Sequence, residues 1–106
     1  MQPKSKAQEA YEFLQSYQGL TDPDNLQFHR WLRDGKNLVQ TSAADGYILQ
    51  GFAHNLLGNA ILSLDSMKKA KLLNNYFGKV NYAGLLNRLG RHEESISICF
   101  ELLQQN

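Results

Sequence analysis

The chain has 106 residues, of which 42% are hydrophobic and 20% charged, a balance that excludes wholesale disorder and predicts one folded domain. Eleven basic and ten acidic residues give a formal net charge of +1, so no overall field draws the protein toward nucleic acid or a membrane surface. The single cysteine excludes an internal disulfide, and no apolar run approaches the ~18 residues of a membrane helix, so we expect a cytoplasmic protein without a signal peptide.

Helical periodicity of apolar side chains runs through most of the sequence, and glycines and asparagines interrupt it. The first predicted helix covers residues 4–17. The second begins at Thr21-Asp22-Pro23, which combines a cap with a first-turn proline, and it ends at Asp34-Gly35. Leu38 and Val39 are then expected in a short turn or in a loop that packs inward.

The third predicted helix begins at Ser42, with Asp45 reaching back as a weak capping box, and it ends at Gly58. Three more helices follow at about residues 60–73, 76–89 and 93–104. Because the connections are short, neighbouring helices are expected to be antiparallel. We therefore predict an all-α fold in which one domain, residues 1–106, holds three antiparallel helix pairs at about 4–34, 43–73 and 76–104.

The sixth predicted helix carries an apolar stripe. Cys99 lies within this stripe, so we interpret its thiol as buried and inert. No obvious polar capping helix follows, and we therefore expect the stripe to stay partly open and to support a homodimer or another partner contact. The stripe consists of Ile96, Cys99, Phe100 and Leu103.

Two stretches of the sequence share one layout, 32 residues apart. In each, a small residue lies seven positions before the glycine of a Leu-Gly turn, a second small residue follows that glycine by five positions, and a larger residue comes four later. This layout resembles the tetratricopeptide repeat, in which small residues let paired helices approach closely. The positions that carry the resemblance are Tyr47, Gly51, His54, Ser63 and Met67 in the first copy and Lys79, Ala83, Leu86, Ser95 and Cys99 in the second.

The chain departs from the family pattern at several of these positions. Serine replaces alanine in both copies, Lys79 replaces an aromatic residue, and the period is 32 residues rather than about 34. A helical bundle without repeats is therefore the alternative architecture.

The resemblance implies that the helix pairs stack as a short right-handed solenoid, with the first helix of each pair lining a concave groove for a peptide. The apolar residues of the implied groove would anchor the peptide, whereas its asparagines and arginine would bond a peptide backbone or carboxylate. Gly84 on the same face would let a ligand backbone come close. The alternative is that the apolar members pack against the first helix pair. The implied peptide-binding residues are Asp45, Ile48, Phe52, Asn55, Leu56, Phe77, Val80, Asn87 and Arg88.

No residue pattern in the sequence indicates catalysis. The histidines His29, His54 and His92 lack metal-ligand spacing, and there is neither a glycine-rich phosphate loop nor a Gly-x-Ser-x-Gly motif. We therefore expect a protein that is not an enzyme and that holds no metal or cofactor.

One stretch of the sequence, between Ser66 and His92, has basic residues and no acidic ones. These charges either decorate the negative end of the fourth helix or form a patch for an acidic peptide or RNA. The basic residues are Lys68, Lys69, Lys71, Lys79, Arg88 and Arg91.

The function that we expect is that of a non-catalytic adaptor or small chaperone, which binds a peptide segment of a partner protein. In size and fold such a protein resembles the cytoplasmic chaperones of bacterial secretion systems. The alternatives are nucleic-acid binding through the Lys68–Arg91 region and a structural subunit of a larger helical-repeat assembly. A protein partner is favoured over nucleic acid, and no membrane partner is expected.

Overall fold

The computed structural model describes residues 4–15 and 22–104, and within these ranges the chain is all-helical, with no strand. The all-α prediction is thereby confirmed for the described residues. The predicted end of the first helix at residue 17 and the predicted cap at Thr21 lie outside them. The helices are α1 (Lys6–Gln15), α2 (Asp22–Leu38), α3 (Ala43–Leu56), α4 (Ala60–Leu72), α5 (Tyr76–Arg88) and α6 (His92–Gln104).

Among residues 4–15 and 22–104, side-chain caps start two helices. Ser5 Oγ accepts a hydrogen bond from the backbone N–H of Gln8 at 3.1 Å, and Asn75 Oδ1 accepts one from that of Gly78 at 2.9 Å. The capping box predicted at Ser42 is wrong, because the Ser42 side chain makes no cap hydrogen bond. Its ψ of 76° lies outside the extended region from which a capping side chain reaches the first turn.

The second helix does not end at Asp34-Gly35 as predicted but continues through Gly35 to Leu38. Gly35 and Gly46 lie at the contact between α2 and α3. A Cβ atom on Gly35 would be 2.9 Å from the carbonyl oxygen of Gly46, and one on Gly46 would be 2.7 Å from that of Gly35. Glycine at position 35 therefore permits close helix packing and does not stop the helix.

The α3–α4 and α5–α6 pairs repeat each other in their contacts at the 32-residue spacing. Ser63 Oγ donates to the carbonyl oxygen of Gly51 at 2.7 Å, and Ser95 Oγ donates to that of Ala83 at 2.8 Å. The turns between the paired helices contain Gly58 and Gly90, whose φ angles of +85° and +82° favour glycine. The layout seen in the sequence thus corresponds to a repeated hydrogen bond and a repeated turn.

The contacts between the pairs also repeat. Gly46 begins the α3 contact with α2, and Gly78, 32 residues later, occupies the same place between α5 and α4. A Cβ on Gly78 would lie 2.7 Å from the Cβ of Ala70. The first helix of one pair therefore packs directly on the second helix of the pair before it.

The centre of the core is α3, which contacts α1, α2, α4 and α5. Its residues Leu49 and Ala53 are fully buried. The α1 helix packs on α3 through Ala7 and Ala10, and its Phe13 ring lies edge-on to Trp31 of α2 with centroids 5.6 Å apart. Aromatic packing thus joins α1 to α2 where the later pairs use small residues.

The α6 helix buries a different face from the one predicted. Its buried residues are Ser95 and Ile98, whereas Cys99 is exposed, so the prediction of a buried thiol is wrong. The cause is the hydrogen bond of Ser95 to α5, which turns positions three and seven residues later toward the core. No helix within residues 4–15 and 22–104 is both long and apolar enough to cross a membrane.

Candidate functional site

Two adjoining cavities lie along the surface formed by α1, α3 and α5, and together we call them the groove. They have volumes of about 440 Å³ and about 450 Å³, and both are lined by Tyr11 and Phe52. The floor of the first cavity is completed by Ser63 and Met67 of α4. The groove therefore lies where three helices, each the first of its predicted pair, meet.

Most of the predicted peptide-binding residues line this groove. Phe52, Asn55, Val80 and Arg88 line the first cavity, and Asp45, Ile48, Phe52 and Phe77 line the second. Their accessibility differs, because Ile48 is 2% and Phe52 8% exposed, whereas Phe77 is 54% exposed. Ile48 and Phe52 are thus core residues that form the floor, and Phe77 and Val80 present the apolar surface that a ligand can reach.

Two of the predicted residues line neither cavity. Leu56 is half-buried and packs against the core. Asn87 lies at the end of α5, where its Oδ1 is 2.6 Å from Nδ1 of His92 at the start of α6. Its amide is therefore engaged at the α5–α6 turn, away from the groove.

Polar side chains lie across the first cavity. Arg88 of α5 donates a hydrogen bond to Oδ1 of Asn55 on α3, which links the two helices across the cavity. Asn81 donates to the carbonyl oxygen of Phe77 at 2.8 Å, which leaves its own Oδ1 as an acceptor. The first cavity therefore presents donors and acceptors beside apolar surface.

The charges of the groove differ between its two cavities. Arg88 lines the first cavity, and Glu12 and Asp45 line the second. Glu12 is paired with Lys4 at 2.7 Å, between exposed side chains. The groove thus has a cation at one end and carboxylates at the other.

Gly84 differs from the other glycines in the described part of the chain. A Cβ atom on Gly84 would have nothing within 4 Å, so no packing requires glycine here. Glycine within a helix costs about 0.5–1 kcal/mol relative to alanine. At each of the other glycines the fold requires glycine, because an added Cβ would lie 2.6–2.7 Å from another atom or because φ is positive. These glycines are Gly35, Gly46, Gly51, Gly58, Gly78 and Gly90.

Sequence reasoning missed several lining residues, most notably Tyr11 of α1. Ala7 and Ala10 take the core side of α1, and Tyr11 is exposed at the groove. Only the docking of α1 on α3 decides this. The other lining residues that the prediction omitted from the first cavity are Gly51, Ser63, Met67, Asn81 and Leu85.

The basic residues of the Lys68–Arg91 region are mostly engaged by their own chain. Lys79 is buried and donates to Asn74 Oδ1 at 2.6 Å, and Lys69 lies 3.3 Å from Asp65. Lys71 lies over the ring of Tyr82, 5.9 Å from its centroid. Three of the six basic residues thus contact partners within their own chain.

Arg91 is engaged as well. Its guanidinium makes two hydrogen bonds of 2.8 Å to the Glu94 carboxylate. These bonds lower the pKa of the Glu94 carboxyl. The acid-free stretch of sequence is therefore neutralised in part by a carboxylate from the next helix.

His54 holds an unusual polar atom. Its Nδ1 is buried and has no hydrogen-bond partner among residues 4–15 and 22–104. Burial, and then the positive charge of Lys36, lower the pKa of His54 below its ordinary value. In the same ranges, no group of three or more His, Cys, Asp or Glu side chains could hold a metal ion.

Comparison of the chain with protein-family models, curated proteins and solved structures found no match. Function is therefore inferred from the groove and from helix packing alone.

Proposed function

We propose that this protein is a non-catalytic protein-interaction module that binds a peptide segment of a partner protein in the groove between α1, α3 and α5. The observation that carries the proposal is Gly84, a helix-interior glycine that faces open space in the groove. Because such a glycine lowers helix stability without serving packing, we attribute it to the close approach of a ligand.

The architecture that we propose is a short right-handed solenoid of the tetratricopeptide-repeat kind. The repeated contacts support it, since Gly46 and Gly78 join successive pairs and Ser63 and Ser95 join the helices within pairs. In such a stack the first helices of the pairs share one side, and the groove lies on the side of α1, α3 and α5.

The surface of the groove suits an extended polypeptide. Phe77, Val80 and Tyr11 offer apolar area for side chains of the ligand. Asn81 and Arg88 offer bonds to backbone groups, and a ligand backbone beside Gly84 would reach both without meeting a Cβ. Apolar anchoring combined with backbone bonding binds peptides with limited dependence on their sequence, as an adaptor or chaperone requires.

The charges favour one orientation of the peptide. An acidic residue of the ligand is stabilised near Arg88, and a basic residue is stabilised near Asp45. Peptides with their acidic end in the first cavity are therefore preferred over the reverse arrangement.

The experiment selects binding peptides from a random library with the wild-type protein and measures their affinity for Gly84→Ala by calorimetry. The added methyl group occupies the space meant for the ligand, so we expect the Kd to rise at least about tenfold. The same substitution raises the free energy of unfolding by about 0.5–1 kcal/mol, because alanine favours the helix.

The matched control is Ser97→Ala, which also places alanine at an exposed helix position but on α6, away from the groove. We expect unchanged peptide affinity in this variant. The proposal is wrong if Gly84→Ala and Ser97→Ala bind the selected peptides equally well, or if the wild-type protein selects none.

A further inference from the structure

An apolar stripe on α6 is exposed. Ile96, Phe100 and Leu103 are 55%, 61% and 69% exposed, and Cys99 lies exposed among them. These residues follow one another at helical spacing on one face, and we call them the α6 stripe. Three large apolar side chains on one face of a short helix form a contiguous patch of the kind that marks an interaction surface.

The repeat shows what this face does elsewhere in the fold. The positions 32 residues before Ile96 and Cys99 are Leu64 and Met67 of α4, which are both buried. On α4 this side is packed by other helices, since Met67 lies against Gly51 of α3 and Lys71 lies over the ring of Tyr82 on α5. On α6 nothing in the described part of the chain covers the corresponding side.

The α6 stripe is also more apolar than the corresponding face of α4. The counterparts of Phe100 and Leu103 on α4 are Lys68 and Lys71. At these two positions α6 has apolar side chains and α4 has lysines. An exposed face would be expected to carry the lysines, but here the exposed face of α6 carries the apolar side chains. Burial of this stripe by another molecule removes apolar area from water.

We propose that the α6 stripe binds the α6 stripe of a second copy of this chain, with the two helices antiparallel about a two-fold axis near Cys99 and Phe100. The stripe is self-complementary in this arrangement. Ile96 and Leu103 lie at equal distances along the helix from the midpoint between residues 99 and 100, so Ile96 of one copy meets Leu103 of the other. An isologous contact of this kind closes after two copies.

Charge selects the antiparallel arrangement. Glu93 flanks the stripe at the start of α6, and the other end of the helix is the uncharged Gln104. Antiparallel helices place Glu93 beside the Gln104 end of the second copy, whereas parallel helices place it beside another Glu93. Like charges side by side are destabilising, so the parallel arrangement is disfavoured.

A head-to-tail contact with α1 of another copy lacks a matching apolar face. Within residues 6–13 of α1, the large exposed apolar residues are Tyr11 and Phe13. Tyr11 lines the groove, and Phe13 packs on Trp31 of α2. The α6 stripe is therefore matched better by the same stripe of a second copy than by these residues of α1. Because no α6 residue lines either cavity of the groove, this inference does not rest on the proposed function.

The contact is small. A helix of 13 residues is about 20 Å long, and an interface of that length falls at the low end of specific contacts, below about 1,200 Å² in total. The dimer is therefore weak and reversible. It has to be sought at monomer concentrations from about 1 μM to about 1 mM, the range of such affinities.

The experiment is sedimentation equilibrium of the whole 106-residue chain over that concentration range. It compares the wild type with Phe100→Glu and with a matched control, Ile61→Glu. The control places the same charge at an exposed apolar position of α4. We expect a monomer–dimer equilibrium for the wild type and for Ile61→Glu. For Phe100→Glu we expect the dimer Kd to rise more than tenfold, with an unchanged circular dichroism spectrum, because position 100 is exposed in the monomer.

Cys99 supplies a second readout without any substitution, because the proposed axis brings the two thiols together. The shortest bis-maleimide is expected to join two wild-type chains and two Ile61→Glu chains, but to leave Phe100→Glu monomeric. A monomeric wild type over the whole range, a series of species larger than the dimer, or equal dimerisation of Phe100→Glu would each overturn the proposal. Dimers that are not joined through Cys99 would overturn the position of the axis.

Discussion

Ser63 donates its hydroxyl hydrogen to the carbonyl oxygen of Gly51, twelve residues earlier, and the bond joins α4 to α3 within the core at 2.7 Å. Ser95 and Ala83 repeat this relationship in the next helix pair. Both serines are buried, so each bond satisfies a hydroxyl group that has been removed from water.

Ser63→Ala therefore lowers the free energy of unfolding, by about 1 kcal/mol, the usual net value of one buried hydrogen bond. Ser95→Ala has a similar effect, and the double variant loses about twice as much because the two bonds share no partner. Urea denaturation monitored by circular dichroism measures these changes. Ser97→Ala, at an exposed position of α6, is the control that loses no stability. Equal stability of Ser63→Ala and Ser97→Ala would show that the buried bond contributes nothing.

Two helix-contact glycines are predicted to differ in their tolerance of alanine. A Cβ on Gly46 would lie 2.7 Å from backbone atoms of Gly35 and Val39, whereas one on Gly51 would lie 2.6 Å from the terminal methyl of Met67. Backbone atoms of a packed helix yield only if α2 moves, but the end of a methionine side chain can change rotamer. Gly46→Ala therefore destabilises the fold by about 1–3 kcal/mol, and Gly51→Ala by less. Thermal unfolding gives the order of the two Tm values, and the reverse order would contradict this account.

The buried Nδ1 of His54 predicts a dependence of stability on pH. The folded protein holds the pKa of His54 below its ordinary value of 6.5, which the unfolded chain retains. As the pH falls through this value the unfolded state takes up a proton first, so the free energy of unfolding decreases. Above it both states are neutral, and His54 adds no pH dependence.

Urea denaturation between about pH 7.5 and about pH 5.5 measures this effect in the wild type and in His54→Gln. The wild type is expected to lose stability faster than His54→Gln as the pH is lowered. His29→Gln, at an exposed position of α2, is the control and is expected to follow the wild type. Parallel pH profiles for the wild type and His54→Gln would remove His54 as the cause.

Local signals in the sequence were enough to place most helix ends. Gly58 and Gly90 adopt positive φ, a requirement that glycine meets without strain, and both were correctly interpreted as breaks between helices. Gly35 has the same local signal but a different role. Glycine is needed at position 35 because Gly46 on another helix lies against it. The order of residues along the chain does not show which helices approach each other.

The buried face of α6 was not predicted from hydrophobicity, because the larger apolar side chains form the stripe that is exposed. The alignment of the two repeat copies does indicate which face of α6 is buried. Ser95 corresponds to Ser63, and a serine that bonds a neighbouring helix fixes the rotation of its own helix. The face of Ser95, Ile98 and Leu102 was therefore available from the alignment of the two copies, but a count of apolar residues favours the opposite face.

The groove was predicted in part. The resemblance to the tetratricopeptide repeat implied a groove on the third and fifth helices, and Phe52, Val80 and Arg88, which were expected to face it, line the first cavity. Spacing does not separate a residue on the floor from one that a ligand can reach, which is why Ile48 was counted among the anchors. That distinction depends on how deeply α1 covers α3, which is a property of tertiary packing.

The bond between Arg88 and Asn55 has a consequence for ligand choice. Asn55 Oδ1 accepts one hydrogen bond from Arg88, so a ligand group that inserts between these two side chains must break that bond. A ligand that carries its own hydrogen-bond acceptor replaces the broken bond to Arg88. A wholly apolar ligand leaves the guanidinium and the amide without that hydrogen bond. Under the proposed function, this bond therefore disfavours ligands that are wholly apolar.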